Sequence, residues 1–354
     1  MKRIGILTSG GDCQGLNAAI RGVAKALYIK FGSDIEIYGI ADGYRGLIEG
    51  IYKKMKPDDF SGILTLGGTI LGTSRQPFKV LRTEIKKIKN MIENYKKLKL
   101  DCLVILGGNG THKTANLLRE NGLNVVTLPK TIDNDICGTE MSFGFTSAME
   151  IATNVLDCIH TTATSHGRVF IVEIMGHKAG WLTLHSGISA GADVILIPEI
   201  PYDINKVVKT LQIRNKIGKR FSIIAVAEGT LSQNEAKMKK KELMAFRASM
   251  QYPSISYRIA EEIQGIFDKE VRVTVPGHFQ RGGSPCAYDR LLATRLGAAA
   301  ANLIADNNYG NMVGLQNGNI VPVPLCEVAG KLKLVPHDCS TIKTARDIGI
   351  SFGD

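Results

Sequence analysis

The chain has 354 residues, 44% apolar and 22% charged, enough for a sizeable core and for two domains or one large α/β unit. Seven cysteines scattered without CxxC spacing exclude a disulfide framework and a zinc site, and no apolar run is long enough to span a membrane, so a cytoplasmic protein is expected. The net charge of +11 suits anionic small molecules better than nucleic acid, because the densest basic runs, 84–99 and 237–241, read as solvated helix faces with little aromatic interleaving.

Strand-like apolar runs alternate with helical patterns along the whole chain. Residues 4–7 form a strand and lead into a helix over 16–28, with Leu16, Ile20, Val23 and Leu27 on one face. A strand over 35–40, a helix over 84–98, a strand over 102–106, a helix over 114–120 and a strand over 125–128 follow. The second half reads helix 148–162, strand 169–174, helix 181–190, strand 194–197, helix 204–217 and strand 222–226. Helix 255–267, strand 271–275, helix 291–304 and strand 312–315 complete the pattern. Such alternation predicts an α/β fold of mostly parallel sheets flanked by helices. The number of strands suggests two sheets, with crossovers near Gly144 and Gln280. Beyond residue 320, Pro322, Pro324 and Pro336 read as breaks in regular structure.

Chemistry concentrates at strand ends. Strand 125–128 runs directly into Pro129-Lys130-Thr131-Ile132-Asp133-Asn134-Asp135, which sets two carboxylates at the ligand-binding edge of a parallel sheet. Three glycine loops lie nearby in sequence: 8–12, 67–75 ending in Ser74-Arg75, and 107–111. Glycine lets a ligand approach the backbone, and a following helix start offers N–H groups to an anion. The third loop is neither a Walker A motif, since His112 stands where its second glycine belongs, nor a dinucleotide fingerprint, since Lys113 takes the third glycine position. The second half adds Arg168, Met175-Gly176-His177, Glu228, Arg272 and His278-Phe279-Gln280-Arg281. Each arginine alone reads as a surface ion pair. Together they suggest arginines for a phosphate and Glu228 for hydroxyls of a phosphorylated ligand.

These segments resemble the 6-phosphofructokinases. The carriers are LTSGGDxxGxNAAIRG at 7–22, GGTxLGTSR at 67–75, GGNGT at 107–111, PKTIDND at 129–135, SHGR at 165–168, MGHxAGW at 175–181, AEG at 227–229 and GHFQRGGSP at 277–285. They occur in family order over about residues 1–300. The resemblance implies two Rossmann-like domains with the active site between them: a donor domain of residues 1–144 plus about 280–325, and a sugar-phosphate domain of 145–279 plus about 326–354. It implies phosphoryl transfer from ATP to the 1-hydroxyl of fructose 6-phosphate, with Mg2+ as cofactor, in a homotetramer or homodimer. Gly11, Arg75, Gln76, Gly108, Asn109, Gly110 and Thr111 would hold ATP. Asp133 would be the general base, helped by Thr131, Asp135 and Lys130. Thr131, Ile132, Asp133, Met175, Gly176, His177, Glu228, His278, Phe279, Gln280 and Arg281 would contact the sugar. Arg168 and Arg272 would reach its 6-phosphate from a neighbouring subunit. Asn109 and Asp135 would face the metal.

Some positions depart from the family pattern. Asn109 stands for a usual Asp, Thr114 for a small glycine, His177 for an arginine and Gln14 for a proline. In the bacterial effector site, Arg21 and either Lys219 or Arg220 match, whereas Lys25 and His160 replace arginines. Gly110 suits ATP, since an Asp there marks pyrophosphate users; Lys130 is common in pyrophosphate users. Exclusion at 110 is the more direct determinant, because a carboxylate would repel the nucleotide's α-phosphate. ATP is therefore the expected donor. A pyrophosphate-dependent phosphotransferase, an NAD or lipid kinase sharing the GGNGT-like loop, and a regulatory paralogue are the alternatives.

Overall fold

The structure is a computed structural model describing residues 1–354. The chain forms two compact units, residues 1–147 with 281–333 and residues 148–280 with 334–354. Eleven strands occur in chain order: β1 (Lys2–Ser9), β2 (Ile35–Ile40), β3 (Tyr52–Met55), β4 (Cys102–Gly107), β5 (Val125–Pro129), β6 (Val169–Ile174), β7 (Val194–Leu196), β8 (Ser222–Ala227), β9 (Val271–Thr274), β10 (Asn311–Gln316) and β11 (Asn319–Pro324).

The first unit carries a seven-stranded sheet of order β11-β10-β5-β4-β1-β2-β3. Its five central strands are parallel, and an antiparallel strand closes each edge. β4 and β5 are buried along their whole length, which is why they read as continuous apolar runs rather than alternating ones. Helix Leu16–Phe31 buries Leu16, Ile20, Val23 and Leu27, the face anticipated from their spacing, and packs on helix Ala287–Ala305. Glycines let these backbones meet: a Cβ at Gly297 would sit 2.6 Å from the Ala19 carbonyl oxygen. From β1 the chain builds outward on one side through β2 and on the other through β4 and β5. The order reverses between β1 and β4, and at such a point the carboxyl-end loops part to leave a ligand crevice.

The second unit carries a four-stranded parallel sheet of order β7-β8-β6-β9. Its core joins Val169, Ile171, Val194, Leu196, Ile224 and Val226 to Val207, Leu211, Ile259 and Ile263 of the covering helices. One buried charge sits beside this core. Glu235 pairs with Arg258 at 2.6 Å and Arg247 at 3.1 Å and accepts the Ser232 N–H at 2.9 Å. Burial alone would push the Glu235 carboxyl up, but Arg258, the Ser232 N–H and Arg247 hold it down to about 2, below its ordinary 4.5. Its contribution to stability is therefore complete above about pH 4.5 and disappears as pH falls toward 2. Glu235→Gln is expected to lower the melting temperature at neutral pH and to flatten its fall through this acid window, as read by thermal unfolding across pH.

The structure differs from the sequence expectations at the edges. β3 was not anticipated, since Lys53 and Lys54 give it no apolar signal, and an edge strand needs little. Of the prolines expected to break structure after residue 320, Pro336 lies in an irregular segment, but Pro322 and Pro324 lie in β11. Pro322 and Pro324 are tolerated because β11 is an edge strand, where a missing N–H need not interrupt the ladder. Residues 326–333, expected with the second domain, lie in the first unit, where Lys331 and Lys333 bond residues 109 and 134–140. Residues 145–147 also belong there: buried Asp289 accepts the Ser147 N–H at 2.7 Å and its hydroxyl at 2.6 Å.

Candidate active site

The first unit gathers four sequence-distant loops at the carboxyl ends of β1, β4 and β5. Loop 67–75 joins loop 8–12 through the Gly10 N–H, which donates to the Ser74 carbonyl at 3.1 Å, and through Thr73 Oγ1, which donates to the Gly10 carbonyl at 2.7 Å. Thr111 Oγ1 donates to the Ser9 carbonyl at 3.4 Å, joining the GGNGT loop to the same place. Lys130 Nζ donates to the Gly11 carbonyl and joins the acid loop to it. Gly11, Gly108, Thr111 and Lys130 are thereby one cluster. Arg75 lies exposed at its edge with Gln76 half-buried beside it.

The helix expected over 114–120 begins earlier, at Asn109, and runs to Glu120. The glycine loop is therefore itself the first helical turn, and its free N–H groups face the sheet edge, as anion binding requires. His112, which only broke a motif in the sequence, braces this turn. Its Nδ1–H donates to the Gly108 carbonyl at 2.8 Å, and burial pulls the imidazole down to about 4, so it is neutral. A Cβ on Gly110 would meet nothing within 4 Å, so open space adjoins the turn there.

The acid loop is held mostly by its neighbours rather than by its acids. The Asp133 N–H donates to Thr131 Oγ1 at 3.1 Å, Ser142 Oγ donates to the Thr131 carbonyl at 2.8 Å, and Ile132 is fully buried. Asn134 sits in the left-handed region (φ +50°), which asparagine tolerates. Asp133 Oδ1 is buried and takes no hydrogen bond. Burial, then the charge of Asp133, pushes the Asp135 carboxyl up to about 6. Burial likewise lowers Lys130 from its ordinary value. No three His, Cys, Asp or Glu side chains gather into a metal cage. Asp135, buried and raised toward neutrality, and the Asn109 side-chain oxygen nevertheless fit a hard cation such as Mg2+, which takes one or two carboxylates and completes its shell with phosphate oxygens and water. The Asn109 amide nitrogen is committed to the Lys331 carbonyl, leaving its oxygen for a ligand.

The second unit holds two separate groups. At the carboxyl ends of β6 and β8, Glu228 accepts the Gly176 N–H at 3.3 Å and the His177 N–H at 2.8 Å, and Gln280 accepts the Met175 N–H at 3.3 Å. His278 and Phe279 are exposed beside Gln280, Phe279 to 72%. Arg168 and Arg272 lie elsewhere. Arg168 precedes β6, Arg272 is level with Phe170 on β9, and both guanidiniums pair with Glu270. They are at the amino ends of strands whose carboxyl ends carry Met175–His177, roughly 20 Å away along a six-residue strand. The two groups therefore lie at opposite ends of the sheet. Arg281, expected among the sugar contacts, belongs to the first unit, where its guanidinium donates to the Asp12 carbonyl at 3.0 Å beside Gly11.

Sequence reasoning missed Lys333. Its ammonium donates to Asn134 Oδ1, and burial lowers it to about 8 against the opposing charge of Asp135. No motif surrounds it, and its partners lie about two hundred positions upstream.

The chain is similar to known proteins along most of its length. The phosphofructokinase family model matches residues 3–304. An ATP-dependent 6-phosphofructokinase of Spirochaeta thermophila is 57% identical over 360 residues, covering 100% of this chain and 98% of that one. One from Propionibacterium freudenreichii is 46% identical, covering 99% of each chain. Among solved structures, Pichia pastoris phosphofructokinase in the T-state superposes with a TM-score of 0.81 at 34% identity, over 92% of this chain and 35% of that longer one. A pyrophosphate-dependent phosphofructokinase from Marinobacter aquaeolei gives the same TM-score, 0.81, at 20% identity, over 99% of this chain and 92% of that one, and so shares the fold. With the family model spanning most of its length and relatives similar from end to end, the chain belongs to the phosphofructokinase family.

Proposed function

We propose that this protein is an ATP-dependent 6-phosphofructokinase that transfers the γ-phosphoryl group of ATP to the 1-hydroxyl of fructose 6-phosphate. The observation that carries the chemistry is Asp133: a carboxylate with a buried, unbonded oxygen, beside a phosphate-binding helix start and the Lys130 ammonium. Asp133 takes the proton of the sugar 1-hydroxyl as that oxygen attacks the γ-phosphorus. The bond from phosphorus to the departing ADP oxygen breaks, and fructose 1,6-bisphosphate, ADP and a proton leave. Gly11, Gly108, Gly110, Thr111, Arg75 and Gln76 hold the donor in the first unit, where Lys130 offsets charge on the phosphates. Such transfers depend on positioning and on cations along the phosphoryl group. Asp135 and the Asn109 oxygen hold Mg2+, which when bound neutralises charge on the donor phosphates.

Met175, Gly176, His177, Glu228, His278, Phe279 and Gln280 contact the sugar, as do Thr131, Ile132, Asp133 and Arg281. Arg168 and Arg272 serve a neighbouring copy's 6-phosphate, replacing Glu270 as partner. Their position at the amino ends of the strands supports this, since it keeps them from their own subunit's sugar loop. The protein accordingly works as a homo-oligomer, a tetramer or a dimer, and in the cytoplasm.

Lys130 favours a second reading, in which pyrophosphate is the donor, because its buried cation suits either anion. A donor panel separates the two. The expected result is turnover of fructose 6-phosphate with ATP, loss of that turnover on chelating Mg2+, and at least about tenfold less with pyrophosphate. A clear preference for pyrophosphate would overturn the choice of donor, and no turnover with any donor would overturn the function.

A further inference from the structure

A segment outside every motif ties the donor loop to the acid loop. It follows the short helix Leu325–Val328, whose Leu325 and Val328 are anchored in the core of the first unit. Gly330, in the left-handed region (φ +87°), turns the chain. Contacts then come at three successive residues. The Lys331 carbonyl accepts the Asn109 side-chain amide, Leu332 forms a β-bridge with Ile136, and the Lys333 N–H donates to the Asp135 carbonyl at 2.9 Å. The Lys333 ammonium donates to Asn134 Oδ1 at 2.9 Å, the Thr139 carbonyl at 2.9 Å and the Glu140 carbonyl at 2.8 Å.

These acceptors bind the ammonium directly, which offsets the cost of burying it. They also determine the backbone between the two acids. Asn134 Oδ1, held by Lys333, accepts the Ser142 N–H at 3.0 Å, and Asn134 Nδ2 donates to the Glu140 carbonyl at 3.2 Å. The left-handed turn that aims Asp133 and Asp135 is thus clamped from outside the loop. At the other end, the Asn109 N–H is what the Lys331 carbonyl requires. An aspartate there would set one acceptor against another and lift the segment from the donor turn.

We infer that residues 331–333 are a strap holding the base and the donor turn in register, with Lys333 as its positioning residue and the Asn109 amide as its donor-side anchor. The inference rests on the reading of Asp133 as the base. Lys333 acts through the loop and Asn109 through the Lys331 carbonyl, so the strap affects alignment for the chemical step more than substrate affinity.

Lys333→Met keeps the chain's length and removes the three donors. Its kcat is expected to fall about 10- to 100-fold while KM for fructose 6-phosphate and ATP moves less than about threefold. Amide exchange over 131–142 is expected to quicken about tenfold or more, with the β4 amides unchanged. A kcat within about twofold of the parent together with unchanged exchange overturns the strap. Should Lys333→Met fail to fold, Asn109→Asp carries the test, since that side chain is only half-buried. It is expected to quicken amide exchange at 331–333 about tenfold or more; unchanged exchange there overturns the anchor. If the parent itself phosphorylates nothing, the functional reading fails, and the exchange measurements still decide the strap.

Discussion

Asp133→Ala is expected to lower kcat roughly 100- to 10,000-fold, the usual contribution of a positioned base, with KM for fructose 6-phosphate little changed. The structure makes this a clean test. The Asp133 carboxylate oxygen Oδ1 accepts no hydrogen bond, and the loop is held by Thr131, Asn134, Ser142 and Lys333 instead. Truncating Asp133 therefore removes charge without removing support. Its loss also relieves Asp135, whose carboxyl Asp133 helps to push up. The melting temperature should stay level or rise. Turnover and thermal unfolding of Asp133→Ala and Asp133→Ser, measured together, distinguish a base from a scaffold. Near-parental turnover in a folded variant would sink the assignment.

Gly110→Asp is the second large effect expected, and it bears on the donor. A side chain at Gly110 meets nothing within 4 Å, and its backbone is not in the left-handed region, so the protein itself accommodates aspartate. A carboxylate in the first turn of helix Asn109–Glu120 even interacts favourably with the helix dipole, by about 0.3–1 kcal/mol. Any loss must then come from the ligand. The open space is where a nucleotide's α-phosphate would lie, and like charges at close range cost several kcal/mol. The ATP-driven kcat/KM should drop by about 100-fold or more, and the pyrophosphate-driven rate should drop far less. The two rates measured on one preparation decide it: an unchanged ATP-driven kcat/KM would show that position 110 does not select the donor.

The alternation of apolar runs and helical faces was legible because parallel strands covered on both sides must be continuously apolar, and β4 and β5 are. The glycine loops and the Asp133–Asp135 pair were legible because phosphate and acid–base chemistry need particular residues at strand ends. The edges were not. β3 is polar and β11 carries prolines, and an edge strand constrains neither. The sheet-edge role of Pro322 depends on which strand lies beyond it, and no local pattern records that.

From its sequence alone the chain reads as an α/β protein with glycine loops and two acids at a sheet edge, since short-range periodicity and strand-end composition are properties of contiguous residues; the family came from the resemblance of its motifs to the 6-phosphofructokinases. The tertiary structure alone decided the partners. It put Arg281 against the Gly11 loop, Arg168 and Arg272 at the amino ends of their strands, the Asn109 amide on a carbonyl 222 positions away, and Lys333 on Asn134 across 199. Hydrogen bonds over such separations leave no periodic trace, because a lysine or an asparagine in an irregular segment looks the same whether its partner is water or the loop that carries Asp133.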